Sequence, residues 1–384
     1  MAKVRMGMVG GGEGAFIGAV HRMAAALDGE IDLVCGAFNA NAEKSQRSGA
    51  ALHLPAERVY DDFQAMMQAE AARPADQRMQ FVAIVTPNHM HFPVAKAALE
   101  AGFHVMSDKP ATYSLAEALE LRTLVEQTGL LYGLTHTYTG YPLVKEAMQR
   151  VAAGELGTIR KVVVEYSQGW LAEEQGDNNK QAAWRLDPAQ AGISSCMGDI
   201  GVHAANLAEY VTGLKISQMC ADLTAFVPGR TLDDDGSILL RFEGGAKGVL
   251  MASQISVGEE NAIKLRVYGE KGGLEWAQQE PNTLWLKWAE RPTEMLRTSA
   301  GYIGSLGAAN SRTPGGHPEG YLEAFANIYM ALAGQIRALE AGESPDERSA
   351  DCPGINEAVR GMQFIELAVA ASASDVKWHD FKEA

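Results

Sequence analysis

The sequence predicts two α/β domains, the first built on a parallel sheet and the second on a mostly antiparallel open sheet. The chain has 384 residues, which exceeds the size at which a single hydrophobic core usually stops growing. Short apolar runs alternate with helical patterns over the first 140 residues, as in a parallel sheet with crossover helices. Longer segments of alternating apolar and polar residues follow, and these indicate antiparallel strands.

The first domain begins with a strand, a turn and a helix. Residues 3–9 form an apolar run that ends at the glycine-rich residues 10–14, and residues 15–27 then carry apolar side chains at helical spacing. The further strands of this domain are predicted at residues 31–38, 81–85, 103–106 and 130–134, with helices between them at residues 61–70 and 93–101.

Capping residues mark where the first domain ends. Ser114 and Glu117 form a capping box, and Gly129 stands where a left-handed cap ends that helix. Pro142 suits the first turn of the next helix, and Gly154 suits its end. We therefore expect a first domain over residues 1–140 and a second domain over residues 141–384.

The second domain is predicted as a series of strands with helices covering one face of their sheet. Its strands are predicted at residues 159–167, 216–227, 237–242, 248–255, 265–268 and 283–288, and its helices at residues 192–212, 318–339 and 355–371.

The charge and composition restrict the class of partner. A formal net charge of −15 argues against nucleic acid and anionic membrane, because neither is attracted to an acidic surface. No apolar run is long enough to span a bilayer, the N-terminus lacks a basic segment followed by an apolar stretch, and the four cysteines form no Cys-x-x-Cys pair. We expect a cytoplasmic protein with free thiols, a small-molecule ligand and no bound metal.

The glycine-rich turn after the first strand predicts a dinucleotide site. Gly10, Gly12 and Ala15 fit the pattern Gly-x-Gly-x-x-Ala, in which glycine lets the backbone turn tightly and approach a pyrophosphate at the N-terminus of the helix. Further glycines at positions 11, 14 and 18 leave the register of the pattern open, and an ordinary glycine-rich turn is the alternative.

The end of the second strand bears on the choice of cofactor. An acidic residue usually binds the ribose hydroxyls of NAD at this place, but the strand ends at Asn39. Lys44 or Arg47 could meet the 2′-phosphate of NADP or could be solvated surface residues. We expect NAD as the cofactor, with NADP possible.

Two more motifs follow strands and therefore lie at the carboxyl edge of the sheet, where ligands bind in open α/β folds. The segment Thr86-Pro87-Asn88, with His91 close behind it, follows the third strand. Asp108-Lys109-Pro110 follows the fourth, and because a residue before proline is kept extended, Lys109 is a candidate functional lysine.

A carboxylate and an imidazole stand four residues apart at the start of a predicted helix in the second domain. Asp199 and His203 would lie on one face of that helix, where the carboxylate could make the imidazole a general base for a hydroxyl proton. A capping aspartate and a surface histidine are the alternative.

In this order, the four motifs resemble those of the Gfo/Idh/MocA oxidoreductases, and the resemblance extends from residue 3 to about residue 370. It implies a Rossmann domain joined to an α/β domain with an open sheet, a homodimer or homotetramer, and oxidation of a hydroxyl carbon of a monosaccharide or inositol with NAD(P). It also implies the catalytic residues Lys109, Asp199 and His203. His203 would take the hydroxyl proton, Lys109 would lower the pKa of the hydroxyl, and Asp199 would orient His203 or bind a neighbouring hydroxyl.

The remaining candidate residues surround these three. The predicted cofactor site consists of Gly10, Gly12, Glu13, Gly14, Ala15, Phe16, Asn39, Lys44, Thr86, Pro87, Asn88, His91, Asp108 and Lys109. Many members of the family carry asparagine and arginine in the strand after the lysine motif, where this chain has Thr135-His136-Thr137-Tyr138. The candidate substrate residues are His136, Tyr138, Trp184, Arg185 and His317.

Three other functions are compatible with parts of the sequence. His89 and His91 could bind zinc in a hydrolase, but the antiparallel second half argues against the barrel that such a site would need. A non-catalytic NAD(P)-binding sensor or scaffold of the same fold is the second alternative, and a reductase of a ketose or related carbonyl is the third.

Overall fold

The structure is a computed structural model that describes residues 2–174 and 180–382. Its contacts divide the chain into two compact units. The first comprises residues 1–135 and 325–359, and the second comprises residues 136–324 and 360–384. The first unit therefore ends five residues before the expected boundary at residue 140 and also includes a later segment that we assigned to the second domain.

The first unit contains a five-stranded parallel sheet with the strand order β2-β1-β3-β4-β5. The strands are β1 (Val4–Gly10), β2 (Ile31–Ala37), β3 (Phe81–Val85), β4 (His104–Ser107) and β5 (Tyr132–Leu134). The helices up to β5 are α1 (Phe16–Ala26), α2 (Ala42–Ala51), α3 (Phe63–Ala71), α4 (His91–Glu100) and α5 (Leu115–Thr128). This order confirms the parallel sheet predicted from the alternating pattern and the Rossmann domain implied by the resemblance.

The burial of these strands explains why they give the clearest hydrophobic pattern in the sequence. Every residue of β3 is buried, as expected for a central parallel strand covered on both faces. The capping box of α5 is also present: the Ser114 hydroxyl accepts from the Glu117 N–H, and Gly129 ends the helix at a φ of 66°. Helix α2 lacks a hydrophobic pattern, because its buried residues are Ser45, Ser48 and Gly49 rather than large apolar residues.

The second unit contains a nine-stranded sheet with the order β13-β12-β11-β10-β6-β9-β8-β7-β14. Its strands are β6 (Ile159–Ser167), β7 (Ile216–Thr224), β8 (Asp235–Phe242), β9 (Lys247–Ser253), β10 (Ala262–Gly269), β11 (Gly272–Ala277), β12 (Thr283–Trp288), β13 (Glu294–Arg297) and β14 (His379–Asp380). Among the described residues of this sheet only the pair of β6 and β9 is parallel, so the sheet is mostly antiparallel as predicted.

The helices from residue 142 onward are short, except for two long ones near the end of the chain. They are α6 (Pro142–Ala152), α7 (Lys180–Arg185), α8 (Pro188–Ala191), α9 (Val202–Thr212), α10 (Ser305–Ala309), α11 (Tyr321–Ala341), α12 (Glu347–Ala350) and α13 (Ile355–Ser372). The division of the chain into units falls within α11 and again within α13. None of the helices in residues 2–174 and 180–382 combines the length and apolar character needed to cross a membrane.

One predicted helix, residues 192–212, begins later than expected, and its first turn is π-helical. Gly192 ends α8 with a φ of 100°, and a π-helical turn (Met197–Gly201) precedes α9. The Asp233 carboxylate accepts the backbone N–H groups of Ser195 and Met197 at 3.0 and 2.9 Å, which fixes the entry into this turn. The spacing of apolar residues does not reveal such a turn, because Asp233, which caps it, is distant in the sequence.

Candidate active site

The glycine turn after β1 is built so that the backbone passes close to its neighbours. A Cβ atom on Gly10 would lie 2.4 Å from the Val85 carbonyl oxygen, and one on Gly12 would lie 2.7 Å from the Phe38 carbonyl oxygen. Gly10 also has a φ of 81°, which favours glycine. The turn leads into α1, whose first turn carries no acidic residue and whose N-cap, Ala15, makes no side-chain capping bond. This geometry fits a bound pyrophosphate, which needs close backbone approach and a helix N-terminus.

Gly18 lies in α1 and packs against this turn, and the sequence pattern did not identify it as functional. A Cβ atom on Gly18 would lie 2.3 Å from the carbonyl oxygen of Gly11. Gly18 therefore allows the first helix to pack directly against the turn, which is the role of the third glycine in dinucleotide-binding fingerprints. In this chain that role falls to Gly18, while Ala15 is the N-cap of the helix.

The other predicted cofactor residues of the turn and of the segment after β2 are more exposed to solvent. Glu13, Gly14 and Phe16 are exposed, with Phe16 68% accessible. The Asn39 side-chain oxygen accepts from the Asn41 N–H at 2.9 Å, and Lys44 is exposed.

The loops after β3 and β4 are joined by a buried imidazole. The ring nitrogens of His91 lie 2.8 Å from the carbonyl oxygen of Thr86 and 2.7 Å from that of Pro110. Burial lowers the pKa of His91 although Asp108 nearby acts in the other direction. His91 thus ties together the two loops that carry Asn88 and Lys109, and its position accounts for this histidine without a metal ion.

Asp108 anchors the loop of the candidate lysine. Its carboxylate accepts from the Lys109 backbone N–H at 2.9 Å and from the Thr135 hydroxyl at 2.8 Å, and it lies 3.8 Å from the buried ring of His21. Burial alone would raise the pKa of Asp108, but the interactions with His21 and Lys109 outweigh it and hold that pKa well below its usual range. His21 in turn pairs with the Tyr329 hydroxyl at 2.7 Å. The peptide bond between Lys109 and Pro110 is cis.

In the second unit, His203 lies within a group of aromatic side chains. It is the second residue of α9 and is 7% exposed. Its Nδ1 lies 3.3 Å from Nδ1 of His136, and its ring meets that of Tyr138 edge to face at 4.9 Å. The ring of Tyr166 lies 6.4 Å away. The sequence predicted His136 and Tyr138 as pocket residues, and the structure brings both of them to His203.

The hydroxyls of the two tyrosines share a polar network. Tyr138 and Tyr166 are joined by a short hydrogen bond, and the side chain of Asn261 bonds to both hydroxyls, at 3.0 and 2.7 Å. The Gln168 amide also donates to Asn261 at 2.7 Å. Burial raises the pKa of Tyr138 and of Tyr166, so both phenols stay protonated at neutral pH. The sequence pattern did not identify Tyr166, Gln168 or Asn261, because these residues come together only through the pairing of distant strands.

Asp199 lies in the π-helical turn, where two side chains donate to it. Its Oδ2 accepts from Arg185 Nε at 3.1 Å and from Gln254 Nε2 at 2.9 Å. The Arg185 guanidinium lies over the Trp184 ring at 4.3 Å. The two donors fix the orientation of the Asp199 side chain, as expected of a group that binds a hydroxyl. His317, by contrast, is exposed, and its ring contacts the Pro314 carbonyl in its own loop.

Comparison with known protein families supplies the remaining evidence. Residues 4–150 match the family model for the oxidoreductase family with an NAD-binding Rossmann fold, and residues 144–275 match that for the GFO/IDH/MocA C-terminal domain. A relative that covers nearly the whole chain, "Uncharacterized oxidoreductase YfiI" of Bacillus subtilis, is 33% identical over 99% of this chain and 97% of its own length.

The chain belongs to the GFO/IDH/MocA oxidoreductase family.

Two relatives with named activities have related sequences. The inositol dehydrogenase homolog from Azotobacter vinelandii, whose structure was solved with NAD+, superposes with a TM-score of 0.94 at 34% identity over 99% of this chain and 97% of that one. Its complex with NADH and myo-inositol gives a TM-score of 0.92 at 33% identity over 99% of this chain and 98% of that one. Levoglucosan dehydrogenase of Pseudarthrobacter phenanthrenivorans is 26% identical over 71% of this chain and 73% of its own.

Membership in this family agrees with the resemblance that the motifs predicted. The alternative of a zinc hydrolase finds no support, since both nitrogens of His91 face backbone carbonyls and the second sheet is mostly antiparallel. Within residues 2–174 and 180–382, no three His, Cys, Asp or Glu side chains are grouped as metal ligands.

Proposed function

We propose that this chain is an NAD-dependent dehydrogenase that oxidises a secondary hydroxyl of an inositol or monosaccharide. The proposal rests on the surroundings of His203, a buried imidazole that lies beside His136 and Tyr138. The same unit contains the carboxylate of Asp199, which accepts hydrogen bonds from Arg185 and Gln254. A polyol substrate requires several fixed polar groups, because each buried hydroxyl that lacks a partner costs about 1–3 kcal/mol.

The residues of the chain divide the work of the reaction. His203 takes the proton of the reacting hydroxyl, and Lys109 donates a hydrogen bond to the same oxygen, which lowers the pKa of the hydroxyl. Asp199 accepts a hydrogen bond from a neighbouring hydroxyl and thereby orients the ring. A bound NAD+ would supply the acceptor for the hydride that leaves the carbon of the reacting hydroxyl.

The first unit offers a matching place for the cofactor. The turn at Gly10, Gly12 and Gly18 would hold the pyrophosphate, and the loops that end in Asn88 and Lys109 would lie beside the nicotinamide half. Asn39 offers an amide to the adenosine ribose without the negative charge that would repel a 2′-phosphate. NAD is the proposed cofactor because the related inositol dehydrogenase homolog was solved with NAD+ and with NADH, and NADP is tested in parallel because Asn39 does not exclude it.

A polyol panel tests the proposal. We expect absorbance of the reduced nicotinamide to appear with NAD+ and an inositol, an aldose or the anhydrosugar levoglucosan. Lys109→Ala and His203→Ala should each lower kcat at least about 100-fold, the range of a general acid or base, while NAD+ binding is kept. Lys96→Ala is the matched control, because Lys96 lies on the surface and pairs with Glu120.

The other outcomes of the panel have distinct meanings. Turnover only with ketoses and NADH would assign the reductive direction. NAD+ binding without turnover of any polyol or ketose would contradict the proposal and favour a non-catalytic sensor. Full activity of either variant would contradict the roles of Lys109 and His203.

We further propose that the enzyme is a homodimer or homotetramer. Three large apolar side chains, Leu239, Trp285 and Met295, are between 40% and 50% exposed on strands of the nine-stranded sheet. Light scattering after size exclusion measures the mass directly, and a mass near the 41.2 kDa of one chain would contradict an oligomer.

A further inference from the structure

The feature that carries a further inference is the pair of imidazoles His136 and His203. Their Nδ1 atoms are 3.3 Å apart, and their rings meet edge to face at a centroid distance of 5.3 Å and an angle of 79°. Both side chains are buried, with 1% and 7% exposure. A buried pair at this distance has a defined hydrogen-bond direction, since one nitrogen must donate and the other must accept.

The direction of that bond decides whether His203 can act as a base through its other nitrogen. If Nδ1 of His203 carries the hydrogen, its Nε2 keeps a lone pair that can take a proton. If Nδ1 of His136 carries the hydrogen, a neutral His203 has its own hydrogen on Nε2 and cannot accept there. The two arrangements differ only in the tautomers of the two rings.

We propose that His136 is a positioning residue whose Nδ1 accepts the hydrogen bond from Nδ1–H of His203 and so keeps the Nε2 lone pair of His203 available. The inference rests on the proposed function, in which His203 takes the hydroxyl proton. It gives His136 the role that a carboxylate or backbone carbonyl usually plays beside a catalytic histidine.

The backbone around His136 holds its ring in place. The Thr139 hydroxyl donates to the His136 carbonyl oxygen at 2.9 Å, and a 3-10 turn (Thr137–Gly140) begins directly after it. A Cβ atom on Gly140 would lie 2.1 Å from the carbonyl oxygen of Ala324, so this turn packs without room to shift. These contacts fix the backbone that carries the His136 ring, whose Nδ1 lies 3.3 Å from Nδ1 of His203.

The polar atoms of Tyr138 and Asp199 have hydrogen-bond partners of their own. Tyr138 presents its ring edge to face, and its hydroxyl is engaged by Tyr166 and Asn261. Oδ2 of Asp199 is engaged by Arg185 and Gln254. The inference rests on the 3.3 Å distance between the Nδ1 atoms of His136 and His203.

The tautomer of His203 can be measured without turnover. We would label the full-length protein with ¹⁵N-histidine and record imidazole nitrogen spectra at a pH about two units above the ordinary histidine pKa of about 6.5. The signals are assigned by comparison with His203→Gln. We expect His203 to carry its hydrogen on Nδ1, and a wild-type spectrum with the hydrogen on Nε2 would overturn the inference.

Two substitutions separate the hydrogen bond from the volume of the side chain. His136→Leu removes the acceptor, and we expect the hydrogen of His203 to move to Nε2. His136→Asn places an amide oxygen near the former Nδ1 and should keep the wild-type tautomer. An unchanged tautomer in His136→Leu would also overturn the inference, and if that variant fails to fold, the spectra of the wild type and His136→Asn decide.

Kinetics supply the second readout. We expect His136→Leu to lower kcat at least about tenfold, with KM for polyol and the affinity for NAD+ changed only slightly, and His136→Asn to recover most of that loss. His104→Asn is the matched control, because it replaces a buried histidine whose Nδ1 accepts the Leu131 N–H in the other unit. A loss in KM alone, or an equal loss in His136→Asn and His136→Leu, would assign His136 a merely structural role.

The two proposals fail in different ways. If the wild type oxidises no polyol but His203 shows hydrogen on Nδ1, the proposed function fails and the pairing stands. If turnover is found and the tautomer is the opposite one, the role of His136 fails while the proposed function stands.

Discussion

The backbone N–H of Lys109 donates to the side-chain carboxylate of Asp108, the residue directly before it, at 2.9 Å. This bond fixes the start of the lysine loop, and the same carboxylate also accepts from Thr135, which follows β5. His21, on the first helix after the glycine turn, lies 3.8 Å from the same carboxylate. The half-buried Asp108 carboxylate therefore connects the first helix, the lysine loop and the segment after β5.

Asp108→Asn should destabilise the protein at neutral pH by about 1–3 kcal/mol, because a buried charged acceptor is replaced by a neutral one. The folded state lowers the pKa of Asp108, so its stabilisation is present above the ordinary aspartate pKa of 3.8 and is lost as the pH falls. The difference from wild type should thus shrink in acid. Unfolding in urea at neutral pH and at about pH 3, below that ordinary pKa, measures this.

The control for that prediction is Asp32→Asn. Asp32 pairs with Lys3 at 2.8 Å, but both side chains are at least 50% exposed, and such pairs contribute about 0–1 kcal/mol. An equal loss of stability in both variants at every pH would show that burial of Asp108 has no special effect.

Gly18→Ala should weaken NAD+ binding and destabilise the protein by about 1–3 kcal/mol, since the new Cβ atom would press on backbone rather than on a flexible side chain. The nearest atoms of Gly11 would be 2.3 and 2.4 Å away. Gly301→Ala is the control, because a Cβ atom there meets nothing within 4 Å. Titration of NAD+ by protein fluorescence gives the affinity, and wild-type affinity in Gly18→Ala would rule out the close packing of turn and helix as a requirement.

Gln254 should contribute to activity through Asp199. Gln254→Met keeps much of the shape but removes the donor, and we expect kcat/KM for polyol to fall about tenfold, the size of one lost charge-assisted hydrogen bond. Gln254→Glu has nearly the same shape but places a like charge beside Asp199, so its loss should be larger. KM for NAD+ should stay unchanged in both. If the Met variant were more impaired than the Glu variant, packing rather than hydrogen bonding would explain the role of Gln254.

His104 should make stability depend on pH between about 6.5 and 4. Burial lowers the pKa of His104 from 6.5 to about 4, and Nδ1 accepts the Leu131 N–H, so protonation is disfavoured in the folded state. Its contribution is full above pH 6.5 and is lost as the pH falls through this range, by up to about 3 kcal/mol.

His104→Asn keeps an acceptor but cannot titrate, so its stability should fall less steeply over the same pH range. Urea unfolding at several pH values compares the two proteins. Free energies of unfolding that change equally with pH in wild type and His104→Asn would contradict this role of His104.

The sequence predicted the parts of the fold that have a local signal. The glycine turn, the buried β3 and the capping box at Ser114 can each be recognised from neighbouring residues. The helix α2 could not, since it packs through Ser45, Ser48 and Gly49, and these carry no hydrophobic periodicity. The inclusion of residues 325–359 in the first unit likewise depends on packing between segments far apart in the chain.

The residues of the candidate site likewise include some that the sequence predicts and some that only the fold reveals. Lys109, Asp199 and His203 stand in short motifs that sequence alone reveals. Tyr166, Gln254 and Asn261 are ordinary polar residues at or next to the ends of strands, and only the pairing of those strands brings them to the site. Gly18 was visible as a glycine, but its contact with Gly11 depends on the angle at which α1 leaves the turn.

Transfer of hydrogen from a polyol carbon to the cofactor tests the central claim most directly. The protein is incubated with NAD+ and myo-inositol, or the best substrate of the panel, deuterated at its ring carbons, and the NADH formed is analysed by mass spectrometry. The proposed function predicts NADH that carries one deuterium, and no NADH from His203→Ala. NADH without deuterium, or the same rate in His203→Ala, would contradict it.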